Sequence, residues 1–194
     1  MKILFVRHGE TFDNLRGFDS PCQSDAKLTD DGKEQALALA QEVKKYDPEI
    51  IYCSPTQRTQ ETAQIIKASN DVPLEIEKRL IERNWGDWGD DGLSWREIVE
   101  TKLKHLDINQ RRSLLPPNGE TWIEMEERLM EFIHEIKLKH EENVVIVTHT
   151  GCLRALLPVL IQESIENHEK YSVKTGSITV FCTEEEKFDI FNQH

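Results

Sequence analysis

Residues 2–10 of the chain read KILFVRHGE, and the prediction of the fold starts from this stretch. Its first half, residues 2–6, is a continuous run of mostly apolar side chains with β-branched and aromatic members, which is typical of a strand covered on both faces. The run ends abruptly at Arg7, His8 and Gly9. A buried strand that stops at an arginine and a histidine side by side indicates a functional loop at its carboxyl end.

Strand and helix patterns alternate along the rest of the chain. This alternation predicts an α/β fold, a three-layer sandwich with a mostly parallel central sheet. The sequence has no internal repeat, low-complexity tract or linker, so we expect residues 1–194 to form a single domain. Strands are predicted at 2–6, 49–53, 73–77, 144–147, 177–181 and 187–191, the last two as a hairpin, and helices at 28–46, 54–69, 94–106, 121–140 and 152–162.

Two of the predicted helices begin with a capping box. Ser54 is the expected N-cap of the second helix, with Pro55 at the first helical position and Gln57 completing a capping box. Ser94 and Glu97 show the same spacing at the start of the third helix. A helix that starts directly after the second strand would place its free N–H groups at the carboxyl edge of the sheet.

The composition excludes several classes of protein. The chain has 194 residues, of which 38% are hydrophobic and 31% charged, as in a globular protein with a substantial core. Its formal net charge of −12 argues against nucleic acid or an anionic membrane as a partner, so an anionic substrate would need a local basic pocket. No apolar run approaches the ~18 residues of a membrane-spanning helix, and no membrane partner is expected.

Four cysteines are scattered through the chain without a CxxC pair, namely Cys22, Cys53, Cys152 and Cys182. In a chain of this size they predict reduced thiols and a cytoplasmic location. The sequence leaves open whether the protein is a monomer or a homodimer.

Basic and imidazole side chains follow three of the predicted strands, at the edge where ligands bind in parallel sheets. Arg7 and His8 follow the first strand, Arg58 comes shortly after the second, and His149 follows the strand at 144–147. Arg58 would lie in the first turn of its helix, where free N–H groups and the helix dipole favour an anion. Two guanidiniums, two imidazoles and a helix N-terminus together predict a site for a phosphate dianion.

Two other interpretations of these residues are open. A single histidine at a strand end is more often a hydrogen-bonded structural residue, and Arg7 alone could be a surface charge. The clustering favours a functional site, because a merely structural arrangement would bury these charges at high cost. A zinc site is disfavoured, since His8 and His149 lack the i, i+4 spacing on a helix and no thiol pair lies near them in the sequence.

Five short blocks of the sequence contain the candidate site residues and the segments around them. They are RHGET at 7–11 with Asn14 behind it, SPTQRTQETA at 54–63, LIERNWGDW at 80–88, PPNGETW at 116–122 and VTHTG at 147–151. Their residues and their order resemble the histidine phosphatase superfamily, which includes the cofactor-dependent phosphoglycerate mutases and many small phosphatases. The blocks are distributed over most of the length of the chain. The resemblance therefore implies a phosphoglycerate mutase-like fold.

The resemblance also implies a reaction through a covalent intermediate. His8 would be the nucleophile, and nearby arginines would help to keep its imidazole neutral by lowering its pKa. Gly9 would leave room for the phosphate. No metal ion and no organic cofactor is expected. The other implied roles are phosphoryl clamps for Arg7, Arg58 and His149, a further hydrogen bond from Asn14, and proton donor and acceptor for Glu82.

Three features depart from the pattern of the small phosphatases. Thr150 stands where the family more often has glycine, and its side chain would narrow the substrate pocket. Arg83 and Trp85 resemble a motif of the mutases. Arg111 and Arg112 resemble the paired arginines with which mutases hold their substrate, although a solvated basic turn before a proline is an equally good interpretation.

The sequence therefore predicts a phosphatase that hydrolyses a small phosphorylated metabolite through a phosphohistidine. One alternative is a cofactor-dependent phosphoglycerate mutase, which is disfavoured because the chain lacks the longer C-terminal tail of typical mutases. Another is a non-catalytic phospholigand-binding protein that keeps the fold. Substrate specificity is expected in residues 83–120, with Arg83, Arg111 and Arg112 as candidate substrate contacts.

Overall fold

The computed structural model describes residues 1–16, 24–90 and 95–194, without the side chains of residues 90, 95 and 96. Within these ranges six strands form one sheet. The strands are β1 (Lys2–Arg7), β2 (Ile50–Cys53), β3 (Leu74–Ile76), β4 (Val144–Thr148), β5 (Ile178–Cys182) and β6 (Lys187–Gln193). Their order across the sheet is β3-β2-β4-β1-β5-β6.

Helices occupy most of the connections between these strands. A 3₁₀ turn at Lys78–Leu80, a π-helical turn at Val99–Leu103 and a 3₁₀ segment at Ile165–Tyr171 add to them. The α-helices of the described ranges are α1 (Phe12–Leu15), α2 (Asp30–Lys44), α3 (Gln57–Asn70), α4 (Asp87–Asp90), α5 (Trp95–Ile98), α6 (Ile108–Ser113), α7 (Trp122–Lys139) and α8 (Thr150–Leu160).

The strand pairing confirms the mostly parallel sheet that the sequence predicts. Strand β1 lies inside the sheet, parallel to β4 on one side and antiparallel to β5 on the other. Strand β2 pairs in parallel with both β3 and β4, and β5 and β6 form the predicted antiparallel hairpin. The carboxyl ends of β1, β2 and β4 therefore point to the same edge of the sheet.

Side chains that alternate along the inner strands feed two separate cores, one on each face of the sheet. The core between the sheet and helices α7 and α8 includes Phe5 and Phe132. The core between the sheet and helices α2 and α3 includes Val6 and Ile66. A sheet with helices packed on both faces is the three-layer sandwich that the strand and helix alternation predicts, so the predicted fold class is confirmed.

The start of α3 differs from the prediction. The helix begins at Gln57 with Thr56 as its N-cap, so Ser54 and Pro55 lie outside it. The N–H of Ser54 donates to the carbonyl of Val147 at 3.1 Å. This bond keeps Ser54 in the register of the sheet, which is why it does not cap the helix.

Two predictions touch residues that are not described. The predicted cap at Ser94 lies outside the described ranges, although helical turns follow it. Cys22 also lies outside them, whereas Cys53, Cys152 and Cys182 are buried free thiols. Among the helices of the described ranges, none is long and apolar enough to cross a membrane.

Candidate active site

The residues that follow β1, β2 and β4 meet at one edge of the sheet. In the strand register the last residue of β1 is level with the last residue of β4, and β2 ends beside them. His8, Ser54 and His149 come directly after these strands, and all three are buried. The ring centroids of His8 and His149 lie 5.4 Å apart. The structure thus brings together the two histidines that the sequence singled out.

Hydrogen bonds hold His8 in one orientation. Its backbone N–H donates to the carbonyl of Thr148 at 3.2 Å, and its own carbonyl accepts from the N–H of Gly176 at 3.0 Å. Its Nδ1 lies 2.8 Å from the carbonyl oxygen of Gly9. Because a carbonyl oxygen only accepts, Nδ1 carries the proton and Nε2 keeps the lone pair that a nucleophile needs.

The surroundings of both histidines favour the neutral imidazole. Burial holds the pKa of His8 well below its usual range, and the positive charges of Arg58 and Arg7 lower it further. Burial also holds the pKa of His149 well below its usual range, with Arg58, His8 and Arg7 adding to the effect. The arginines act in the direction that the sequence suggests, but burial is the larger cause.

Each of the two arginines is oriented by a backbone carbonyl. Arg58 is only 1% exposed, and its Nη1 donates to the carbonyl of Ser24 at 2.9 Å. Nη1 of Arg7 donates to the carbonyl of Val173 at 2.7 Å. Because the donors of a guanidinium lie in one plane, such a bond restricts the directions in which the others point. The two cations are therefore held in place before any phosphate arrives.

The amino terminus of α8 carries buried polar atoms that have no hydrogen-bond partner in the described part of the chain. His149 is the N-cap of this helix, which starts at Thr150 rather than at residue 152 as predicted. Its Nε2 lies 2.8 Å from Ser54 Oγ, whereas its Nδ1 is buried without a hydrogen-bond partner among the described residues. The same holds for Oγ1 of Thr150. Polar groups of this kind at a helix N-terminus suit an anion.

Glu82 reaches the same helix terminus from the other side. Its Oε2 accepts from the N–H of Gly151 at 3.0 Å, and its Oε1 accepts from the N–H of Arg83 at 2.8 Å. Both carboxyl oxygens are thereby held by backbone donors. The structure thus places the carboxyl group of Glu82 beside Gly151, two residues after His149. A proton donor and acceptor at this position would serve a bound phosphate ester.

Two predicted site residues have structural roles that the sequence analysis missed. A Cβ on Gly9 would lie 2.3 Å from the carbonyl oxygen of Gly32, so glycine is required there for close packing against α2. Oδ1 of Asn14 accepts from the N–H of Thr11 at 3.1 Å and from its hydroxyl at 3.0 Å, which closes a capping box on α1. The T-x-x-N spacing in the sequence is the signal for this cap.

A basic cavity of about 100 Å³ lies next to Arg83, the residue that follows Glu82. Arg111 and Arg112 line this cavity instead of standing in solvent. The sequence analysis did not predict four other polar members of the lining. One of them, Arg154, follows Thr150 by one helical turn, a spacing that is visible in the sequence. The polar lining includes Arg83, Arg111, Arg112, Trp122, Arg154, His168 and Glu169.

Arg83 is held firmly at the wall of this cavity. Its Nε donates to the carbonyl of Glu120 at 3.2 Å and its Nη2 to the carbonyl of Leu114 at 3.1 Å. Its guanidinium lies 3.9 Å from the ring centroid of Trp85, in a cation–π contact. Burial lowers the pKa of Arg83 to about 10, because the positive charge is poorly hydrated there. An anion in the cavity would relieve this cost.

The other polar groups of the cavity are partly engaged. Arg112 forms an ion pair with Glu126 at 2.8 Å, and Nε of Arg111 donates to the carbonyl of Leu106 at 2.9 Å. Nε of Arg112 and Nε1 of Trp122 are buried without a hydrogen-bond partner among the described residues. Buried N–H donors without protein acceptors are unusual in folded proteins, so these two suit acceptor atoms of a ligand.

The family of the protein follows from a comparison with known proteins. The sequence model of the histidine phosphatase superfamily (branch 1) matches residues 3–193. The chain belongs to this superfamily. The match covers every block of sequence that carried the resemblance, and the two strand-end histidines described above lie inside it.

Relatives of this histidine phosphatase include both phosphatases and mutases. The chain is 34% identical to the metal-independent phosphoserine phosphatase of Arabidopsis thaliana, over 84% of this chain and 70% of that protein. It is 31% identical to the 2,3-bisphosphoglycerate-dependent phosphoglycerate mutase of Thermoplasma acidophilum, over 95% of this chain and 88% of the mutase. The crystal structure of the alpha-ribazole phosphatase from Shigella flexneri matches with a TM-score of 0.84 and 26% identity, covering 100% of this chain and 96% of the other.

The site shows no arrangement for a metal ion in the part of the chain that the structure describes. No group of three or more His, Cys, Asp or Glu side chains there could hold one. The imidazoles of the histidine phosphatase site are held instead by a carbonyl oxygen and a hydroxyl group. That the reaction needs neither metal nor cofactor stays a prediction.

Proposed function

We propose that this histidine phosphatase hydrolyses a small phosphorylated metabolite through a phosphohistidine on His8. The observation that carries the proposal is the orientation of the His8 ring, whose Nδ1–H is held by the Gly9 carbonyl while Nε2 keeps its lone pair. The ring is neutral because burial and the charges of Arg58 and Arg7 lower its pKa. A neutral imidazole beside two guanidiniums is suited to attack a phosphate ester.

In the first step, Nε2 of His8 attacks the phosphorus atom, so that a P–N bond forms and the bond from phosphorus to the leaving oxygen breaks. Arg7, Arg58 and His149 stabilise the charge on the three phosphoryl oxygens. Glu82 in its protonated form gives its proton to the leaving oxygen, so that an alcohol departs instead of an alkoxide.

In the second step, a water molecule attacks the phosphorus atom of the phosphohistidine. Glu82, now a carboxylate, takes a proton from this water as the P–N bond breaks. The electron pair of that bond returns to Nε2 of His8. Inorganic phosphate leaves, and both His8 and Glu82 are back in their starting forms.

Thr150 and Asn14 complete the proposed phosphate site. The Oγ1 of Thr150 is buried and has no partner among the described residues, which supports a hydrogen bond from this hydroxyl to a phosphoryl oxygen. The Oδ1 of Asn14 is held by Thr11, so the amide NH₂ of Asn14 is the end of the side chain that donates to the phosphate. Arg7, Arg58 and His149 would then be joined at the phosphate by two neutral donors.

The leaving group is proposed to carry a second anionic group that occupies the basic cavity. Arg83 follows Glu82 in the chain and Arg154 lies one helical turn after Thr150, which supports a cavity close enough to the proton donor to receive part of the leaving group. Four guanidiniums line the cavity, against the carboxylate of Glu169. The buried Nε1 of Trp122 adds a donor without an acceptor among the described residues. A carboxylate or a second phosphate would match this lining, and residues 83–120 would then determine specificity.

Phosphoglycerate mutase is the second candidate function, because the same cavity presents Arg111 and Arg112 to a substrate anion. A mutase must retain its intermediate and exclude water while the phosphoryl group returns to a different hydroxyl. A phosphatase needs only to admit water. We place hydrolysis first because the chain is similar to phosphatases of two kinds, the plant phosphoserine phosphatase and the alpha-ribazole phosphatase, and to one kind of mutase.

Product partition separates the two candidates. The protein is incubated with 3-phosphoglycerate and a trace of 2,3-bisphosphoglycerate, while an enolase-coupled assay follows 2-phosphoglycerate and a second assay follows free phosphate. We expect phosphate release to dominate. Formation of 2-phosphoglycerate many times faster than release of phosphate would overturn the hydrolase assignment in favour of the mutase.

A matched pair of substrates tests the second anionic group. Phosphoserine and phosphoethanolamine differ by one carboxylate, so we expect the wild type to have a higher kcat/KM for phosphoserine. Combined Arg111→Ala and Arg112→Ala substitution should raise the KM for phosphoserine sharply. The same double variant should leave phosphoethanolamine kinetics nearly unchanged. Equal effects on both substrates would remove the cavity from substrate recognition.

The cellular location of the protein, its partner and its domain organisation are also proposals. A cytoplasmic location and a small-molecule partner, rather than nucleic acid, agree with a net charge of −12 and with the unpaired state of Cys53, Cys152 and Cys182. The match of one family over residues 3–193 supports a single domain. Whether that domain forms a homodimer is a question for a measurement of molecular mass in solution.

A further inference from the structure

We propose that Ser54 is a positioning residue that sets the tautomer of His149. In this tautomer Nδ1 of His149 carries the proton, and the Nδ1–H donates a hydrogen bond to a phosphoryl oxygen. The inference rests on the proposed reaction at His8, because it assigns His149 to the same phosphate. Ser54 itself does not touch the substrate; it acts through the imidazole.

Ser54 is fixed in space by its backbone. Its N–H donates to the carbonyl of Val147 at 3.1 Å, and its carbonyl accepts from the hydroxyl of Thr59 at 2.7 Å. The residue is fully buried, with 0% of its surface exposed. Its Oγ lies 2.8 Å from Nε2 of His149. The serine hydroxyl is therefore attached to the rigid end of β2 and faces the imidazole at hydrogen-bond distance.

Two proton arrangements are compatible with this distance. In the first, the hydroxyl of Ser54 donates to Nε2, and His149 carries its proton on Nδ1. In the second, Nε2–H of His149 donates to the hydroxyl oxygen, and Nδ1 is a bare lone pair. The neutral state of His149, which follows from its burial and the nearby cations, means that only one ring nitrogen is protonated.

Counting hydrogen bonds separates the two arrangements. Ser54 Oγ has no partner other than His149 among the described residues, so its hydroxyl hydrogen has a single acceptor within reach. In the second arrangement that hydrogen and Nδ1 of His149 would both be buried and unsatisfied. In the first arrangement only the Nδ1–H lacks a partner. Because each buried unsatisfied polar group is costly, the first arrangement is favoured.

The favoured arrangement is also the one that serves a phosphate. Phosphoryl oxygens are acceptors, so a bare lone pair on Nδ1 of His149 would repel them, whereas an Nδ1–H donates to them. The donor would keep this role without a proton from solvent, since the ring is neutral. Ser54 would therefore make His149 a neutral donor next to the cationic donors Arg7 and Arg58.

The wild-type protein alone tests the tautomer. Histidine labelled with ¹⁵N in the ring gives separate nitrogen signals for protonated and bare positions, and the signals lost in His149→Asn identify this residue. We expect a protonated Nδ1 and a bare Nε2 in the free protein, and a change at Nδ1 on addition of inorganic phosphate or vanadate. A protonated Nε2 would overturn the proposal.

Variants test whether the serine hydroxyl is the cause. We expect Ser54→Ala to give a mixture of the two His149 tautomers and about a tenfold fall in the rate of phosphoryl transfer, the size of one hydrogen bond to a charged group. Ser54→Thr, which keeps the hydroxyl, should restore both. Thr179→Val is the matched control, because it removes a buried hydroxyl on β5 whose single partner among the described residues is the N–H of Asn192, from which it accepts.

A thermodynamic cycle separates positioning from a general loss of structure. If Ser54 acts through His149, Ser54→Ala should have almost no further effect on the rate in a His149→Ala background. A full tenfold fall in that background, or an unchanged tautomer in Ser54→Ala, would overturn the proposal. Failure of the phosphohistidine mechanism would show differently, as an absent phosphoenzyme, and would leave the tautomer measurement standing.

Discussion

Gly151 and Glu82 are in a contact that no side chain at position 151 could allow. The N–H of Gly151 donates to Oε2 of Glu82 at 3.0 Å, and a Cβ on Gly151 would lie 2.1 Å from Oε1 of the same carboxyl group. The carboxyl group therefore rests on the first turn of α8, and the glycine is what lets it come this close. The position of the proposed proton donor depends on a residue that does no chemistry.

Substituting Gly151 with alanine should displace Glu82 and weaken proton transfer to the leaving group. We expect kcat/KM for an alkyl phosphate to fall by about 100-fold, the usual scale for general acid catalysis. The measurement is steady-state kinetics of Gly151→Ala, Glu82→Gln and the double variant. Because both changes act on one carboxyl group, the double variant should be no worse than Glu82→Gln; additive losses would mean that the contact is unrelated to catalysis.

The role of Glu82 as proton donor can be tested through the leaving group. An alkoxide needs a proton in order to leave, whereas a nitrophenolate hardly does. Glu82→Gln should therefore lose ~100-fold or more on alkyl phosphates and far less on 4-nitrophenyl phosphate. Rates on both substrates are compared under the same conditions. Equal losses on the two would remove Glu82 from this role.

A covalent intermediate is expected on His8. After brief incubation with a phosphate-labelled substrate and quenching, the protein should carry label in a bond that is labile in acid and stable in base, as a phosphoramidate is. His8→Ala should abolish both the label and the turnover, because it removes the imidazole that lies beside His149 in the proposed phosphate site. Exposed His134 provides the matched control, since His134→Ala should leave both intact. Label that survives in His8→Ala would contradict the mechanism.

The geometry of Arg58 should matter as much as its charge. A guanidinium can make two parallel hydrogen bonds to phosphoryl oxygens, whereas an ammonium acts as a point charge. Arg58 is also 1% exposed, so a lysine there would lose the bond to the carbonyl of Ser24. We expect Arg58→Lys to lose about tenfold or more in kcat/KM, on the scale of ~1.5–3 kcal/mol for a charged hydrogen bond. Near-normal kinetics would place Arg58 outside the phosphate pocket.

The two buried histidines should make the fold less stable in acid. Their pKa values in the folded protein lie well below the ordinary value of 6.5, so the unfolded chain takes up protons first as the pH falls. Stability from this source is complete above pH ~6.5 and decreases below it, towards the lower pKa of the folded state, by up to ~1.4 kcal/mol per histidine for each pH unit.

Urea unfolding at neutral and mildly acidic pH measures this effect. Other groups also titrate in this range, so the comparison is between the wild type and single variants. We expect the fall in the free energy of unfolding on acidification to be smaller in His8→Asn than in the wild type. His134→Asn, at an exposed position, should keep the wild-type slope. An equal slope in all three proteins would contradict the burial of a neutral His8.

Much of the fold and the centre of the site could be predicted from local patterns. The apolar run before Arg7 and the run at Val144–Thr148 are continuous, so they predict buried parallel strands, and parallel strands bring their carboxyl ends to one edge. That rule alone predicts that His8 and His149 lie close together, as they do. The family match over residues 3–193 agrees with the blocks around these histidines.

The same local rules were misleading where two patterns competed. Ser54 satisfies the spacing of a helix cap, but it also follows a strand, and the bond from its N–H to Val147 decided in favour of the sheet. The contact of Asn14 with phosphate stays a prediction, and the structure adds that its Oδ1 caps α1 through Thr11. Such outcomes depend on which partner is closer in space, and spacing along the chain does not contain that information.

Local sequence patterns are enough to predict the order of strands and helices along the chain, the strand-end position of His8, His149 and the neighbouring arginines, and the family. Which distant residues meet depends on tertiary packing. Tertiary packing places Ser54 against His149, Gly151 under Glu82, and Arg154 with Arg111 in the lining of one cavity. Periodicity and strand ends are properties of short segments, whereas these contacts depend on how α8 and its neighbours pack on the sheet, which is set by many weak side-chain contacts at once.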